Sequence, residues 1–80
     1  MQVEFIVKQQ VRSLRKEDVI EALQGMAPGV IRAHAVEIRG VLYPVKEAFA
    51  RVMGIDTLDF GTIQARRAFE RLGFPVTRVP

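Results

Sequence analysis

Arg66, Arg67, Arg71 and Arg78 crowd the end of the chain, with Glu70 as their one acidic neighbour after residue 60. Residues 1–60 carry eight basic and eight acidic side chains, so the net charge of +3 resides in the final quarter. Guanidinium groups present a planar fork of donors that suits phosphate oxygens. Gln64, Arg67 and Arg71 stand at i, i+3 and i+7, which places them together on a helix face away from its apolar stripe. A Gln-Arg-Arg row of this kind is a strip for phosphates and base edges, with Arg66 at its flank beside Glu70. The same row also reads as an ordinary solvated helix face.

Tyr43-Pro44-Val45-Lys46 is the second candidate. A ring and an ammonium at a strand-to-helix junction suit stacking on a base and contact with a phosphate. Alternatively Tyr43 packs at the core edge while the Lys46 stem covers apolar surface. Catalysis finds less support. The chain has no Cys, its one Ser is Ser13, and its one His, His34, stands alone between Ala33 and Ala35. There is no Gly-rich dinucleotide or Walker pattern. Asp56 and Asp59 supply too few oxygen ligands for a calcium loop. The expectation is a protein that is not an enzyme and uses no metal or cofactor. A polar pocket around His34, Glu37 and Lys46 would be needed to argue otherwise.

The elements that position these residues follow from periodicity. Val3, Phe5 and Val7 alternate with Glu4 and Lys8, predicting a first strand. From Arg15 to Gln24, Val19, Ile20 and Leu23 share a helical face, with Ser13 as a candidate cap and Gly25 as the stop. Met26 to Arg32, with Pro28-Gly29, reads as a loop. Val36 and Ile38, then Val41 to Tyr43, predict a tight hairpin in which Gly40 takes positive φ. Pro44 suits the first position of a helix carrying Val45, Ala48, Phe49 and Val52 on one face, with a Glu47–Arg51 pair and Gly54 as its stop. A last helix, capped by Asp59 or Thr62, carries Ala65, Phe69 and Leu72. Gly73 ends it, and Phe74 falls where a Schellman motif returns an apolar contact to Phe69. Val76 and Val79 belong to a final strand. Residues 45–52 and 65–72 share the pattern apolar-basic-x-Ala-Phe-x-Arg-apolar, as two amphipathic helices on one core require.

The fold class is therefore α+β, in the order β-α-β-β-α-α-β, with helices on one face of a small antiparallel sheet and one domain over residues 1–80. Chains below roughly 70–80 residues gain only a few kcal/mol from one core. Without disulfides or an ordinary zinc site, either the core is closely packed or the chain self-associates, and a homodimer is favoured. No signal peptide or membrane-spanning stretch is read in the sequence, and the expected location is the cytoplasm.

Val36-Glu37-Ile38-Arg39-Gly40-Val41-Leu42-Tyr43-Pro44-Val45-Lys46, followed by Phe60, Ala65-Arg66 and Leu72-Gly73-Phe74, resembles the N-terminal head domain of ScoMcrA-like modification-dependent restriction endonucleases. The resemblance spans about Val36 to Val76. It implies an accessory module of DNA-acting proteins and not a nuclease, because the catalytic HNH domain of that family is absent from these residues. Charge and resemblance together predict a small DNA-binding module. Arg66, Arg67, Arg71, Arg78 and Lys46 would meet phosphates, while Gln64 and Tyr43 approach bases. The alternative is a protein-interaction module, a toxin-neutralising or mobile-element accessory factor, using an apolar patch around Val41, Leu42 and Met53.

Overall fold

A computed structural model describes residues 2–7, 10–27, 29–31 and 33–78. The class is α+β, as expected, with two antiparallel sheets and three α-helices. Strands β1 (Gln2–Val7) and β2 (Gln10–Arg15) form a hairpin. Helix α1 (Lys16–Leu23) follows directly. Strands β3 (His34–Ile38), β4 (Val41–Pro44) and β5 (Val76–Arg78) form the second sheet, in the order β4-β3-β5. Between β4 and β5 lie α2 (Val45–Met53), a 3-10 turn (Thr57–Asp59) and α3 (Thr62–Arg71). The expected order holds with one strand added to it.

The added strand is β2, and its period-2 pattern is weak. Val11, Ser13 and Arg15 face outward with Gln2, Glu4 and Ile6, while Leu14 lies buried opposite Val3. With one buried apolar residue in six, the segment shows little alternation of apolar and polar residues. Ser13, expected as a helix cap, is therefore mid-strand. Arg15 holds the N-cap position instead, and Asp18 in the first turn accepts the Arg15 backbone N–H at 2.9 Å.

Local punctuation behaves as the residue types dictate. Arg39 and Gly40 both take positive φ, 51° and 81°, the pairing that a two-residue hairpin needs to match strand twist. Pro44, expected at the first helical position, is instead the N-cap of α2, and Val45 is the first helical residue. At the end of α3, Phe74 N–H bonds the Phe69 carbonyl and Gly73 N–H bonds the Glu70 carbonyl, both at 3.0 Å, which is the Schellman pattern. Arg51, expected to pair with Glu47, instead donates from Nε to the Ala22 carbonyl at 2.8 Å and ties α2 to the end of α1. Pro28 and Arg32 of the expected loop and Val79 of the expected last strand lie outside the described residues.

The core gathers around Phe49, which is fully buried. Its ring meets Phe5 of β1 at 6.1 Å, Phe60 at 4.9 Å and Phe69 of α3 at 5.9 Å, all edge to face. One side chain thus joins the hairpin, the segment after the 3-10 turn and α3. Such rings favour this geometry because the positive edge of one meets the negative face of the next. Val36, Ile38 and Tyr43 close the core from the second sheet. No helix among the described residues is long and apolar enough to cross a membrane.

Candidate nucleic-acid interface

Helix α3 lies along the free edge of β1, and its polar side chains are shaped by that neighbour. Gln64 Nε2 donates to the Ile6 carbonyl at 2.7 Å, and Arg71 Nη1 donates to the Glu4 carbonyl at 3.2 Å. In an antiparallel pair alternate residues turn their backbone groups toward the partner strand. Glu4 and Ile6 are therefore the residues that face away from β2, and side chains of α3 satisfy carbonyls that a sheet edge otherwise leaves open. The Arg71 guanidinium also stands 5.6 Å from the Phe5 ring centroid, a cation–π contact. Between strand and helix runs a groove of about 560 Å³, with Ile6 and Ile63 on its walls and Arg67 at its rim.

The structure brings Gln64, Arg67 and Arg71 together along this groove, as the i, i+3, i+7 spacing implies. Their availability differs. Arg67 is exposed with no partner among the described residues, whereas the Gln64 amide and one Arg71 nitrogen are engaged by β1. Arg66, about 200° around the helix from Gln64 at 3.6 residues per turn, is half-buried on the other flank, and its Nε has no hydrogen-bond partner. Arg78 is exposed at the end of β5, opposite His34 in the register. None of these four arginines forms an ion pair among the described residues, where Arg15–Asp18 at 3.8 Å is the one present.

The Tyr43-Pro44-Val45-Lys46 turn is built for packing. Tyr43 is buried in the core opposite Val36. Lys46 is half-buried, and its Nζ stands 5.4 Å from the Phe60 ring centroid. Phe5, Phe49, Phe60, Phe69 and Phe74 are buried as well, so no aromatic ring is offered to a base. Asp56 accepts the Leu58 N–H at 2.9 Å and caps the 3-10 turn.

A second cavity, of about 520 Å³, lies between the loop after α1 and the first turn of α2 and is lined in part by His34, Lys46, Glu47 and Thr62. Glu37 is exposed and on the opposite face of β3 from His34, so the three residues considered for an enzyme pocket do not converge. The apolar patch expected at Val41, Leu42 and Met53 does not assemble either: Met53 is buried, and the adjacent Val41 and Leu42 point to opposite faces of the sheet. Sequence reasoning missed the exposed pair that does form, Ile6 opposite Val11 on the hairpin, each 67% exposed. Ile6 is the residue that breaks the alternation of the first strand, and that irregularity was its one visible signal.

Residues 3–80 match the sequence model of the SCO5918-like family. No curated protein and no solved structure matches the chain. With nearly its whole length covered, the chain belongs to the SCO5918-like family.

Proposed function

We propose that this SCO5918-like protein is a small, non-catalytic DNA-binding module of the cytoplasm, accessory to restriction or to mobile-element and regulatory DNA transactions. The observation that carries the reading is the guanidinium charge of Arg66, Arg67, Arg71 and Arg78, none of it in an ion pair among the described residues, on α3 and β5, two elements that pack on each other. The buried aromatic rings and the engaged Gln64 amide narrow it. With neither a stacking platform nor a free amide beside the arginines, the contacts fall on backbone phosphates of a duplex and carry no base readout. The resemblance to the ScoMcrA-like head domain supports an accessory role. Its matching residues here work as fold punctuation, since Pro44 caps α2 and Gly73-Phe74 close α3.

Fluorescence anisotropy of a labelled duplex, read at about 50 mM and about 200 mM salt, tests the proposal. Four phosphate contacts give a slope of log K against log salt near −3.6, or about 150-fold weaker binding across that range. Absence of binding at the lower salt would retire the DNA reading.

A second reading, a protein-interaction module, is favoured by the exposed Ile6–Val11 pair. It predicts a stoichiometric protein partner that is lost on Val11→Glu while the fold persists, and a chain that purifies alone counts against it.

A further inference from the structure

In the groove between β1 and α3 the backbone carbonyls of the strand edge are already taken, while its backbone donors are not. The carbonyls of Glu4 and Ile6 face it, and both are taken, by Arg71 Nη1 and Gln64 Nε2. The N–H groups of the same two residues point to the same side, because an antiparallel strand turns both backbone groups of a residue one way. They have no partner among the described residues. Arg67 adds an exposed guanidinium at the rim. An added β-strand must both donate and accept along an edge, and here the accepting half is occupied. An acceptor-only group meets no such obstacle: an oxyanion takes hydrogen bonds from backbone N–H and guanidinium together.

Resting on the DNA reading above, we infer that this groove seats a backbone phosphate, held by the Ile6 N–H group, which lies between the two occupied carbonyls, and by Arg67. The solvent-exposed side chains of Ile6 and Ile63 flank the groove. The Glu4 carboxylate also lines the groove and opposes the anion. The site is thus set for weak, reversible contact, and neutralising Glu4 tightens it.

The test is a pair of amide-resolved NMR titrations of the 80-residue protein, one with a short DNA duplex and one with inorganic pyrophosphate. In both, the Ile6 amide is expected to shift more than those of Val3 and Phe5, which are bonded to β2. Duplex binding with an unmoved Ile6 amide overturns the groove and leaves the DNA reading standing. Pyrophosphate shifts without duplex binding keep the anion groove and retire DNA as its source. An Ile6 amide unmoved in both titrations overturns the groove. Larger shifts with a polyglutamate peptide than with duplex would reassign it to an acidic protein segment. Glu4→Gln provides a second readout: duplex affinity should rise about two- to fivefold at low salt, the scale of one exposed charge pair. Unchanged or weaker binding by that variant places the phosphate elsewhere.

Discussion

Replacing Phe49 with leucine removes the ring on which three parts of the fold meet while leaving a side chain of similar size. The site is fully buried and makes edge-to-face contacts with Phe5, Phe60 and Phe69 at 6.1, 4.9 and 5.9 Å. Each such pair contributes about 0.5–1.5 kcal/mol beyond the area it buries. Three pairs sharing one ring are not independent, so the loss falls near about 2–3 kcal/mol rather than at the sum of the upper values. A domain of this length has about 4–12 kcal/mol of stability at 0.05–0.15 kcal/mol per residue. At about 4–8 °C per kcal/mol, the midpoint should drop by about 8–24 °C. Phe74→Leu is the control, because Phe74 has one aromatic partner, Phe69 at 6.4 Å, beside the Lys16 ammonium at 5.3 Å from its ring centroid, and its Schellman hydrogen bond is made by the backbone. That variant should lose about 0.5–1.5 kcal/mol. Thermal and urea unfolding followed by circular dichroism measure both. Equal shifts for the two variants would show that Phe49 is no hub and that the aromatic contacts are incidental to packing.

Four further outcomes follow from the placement of α3 and from its C-terminal stop. Gln64→Glu exchanges the donor for a carboxylate facing the Ile6 carbonyl, and urea unfolding should show a loss of about 0.5–1.5 kcal/mol despite the near-identical shape. Arg67→Ala should leave the melting midpoint within the equivalent of about 0.5 kcal/mol while flattening the duplex salt slope by about 0.9. Arg71→Ala should do both, lowering stability by about 1 kcal/mol through the lost Glu4 bond and flattening the slope, so stability separates the two arginines. Gly73→Ala, at a φ of +90°, should cost about 1–2 kcal/mol from left-handed strain alone, since the added Cβ meets nothing closer than the Lys16 Cε at 3.4 Å. A neutral result there in a thermal melt would mean that the turn relaxes to another geometry.

Much of the secondary structure was legible because it depends on a few neighbouring residues. Gly40 could be assigned to a hairpin turn and Gly73-Phe74 to a helix stop, because positive φ and the Schellman bonds are settled within six consecutive residues. Strand β2 was hidden because a strand edge on a two-stranded hairpin buries little, and Leu14 alone marks its inner face. The candidate site was legible as a row and illegible as a surface. Helical spacing placed Gln64, Arg67 and Arg71 on one side of α3, yet among the three only Arg67 has no hydrogen-bond or ion-pair partner among the described residues.

What the sequence by itself determined, then, is the α+β class, the three helices, the β3–β4 hairpin and the glycine stops, which rest on local sterics and on the period of apolar residues. The expected caps Ser13 and Asp59 or Thr62 give way to Arg15 and Gly61. The tertiary structure alone decided that Gln64 meets the carbonyl of a residue 58 positions away, that Tyr43 turns into the core, and that Ile6 and Val11 stand exposed. The physical reason is the same in each case. An amide, a ring or an apolar side chain carries its chemistry wherever it goes, but whether it meets a carbonyl, another ring or water depends on which distant strand comes to lie beside it.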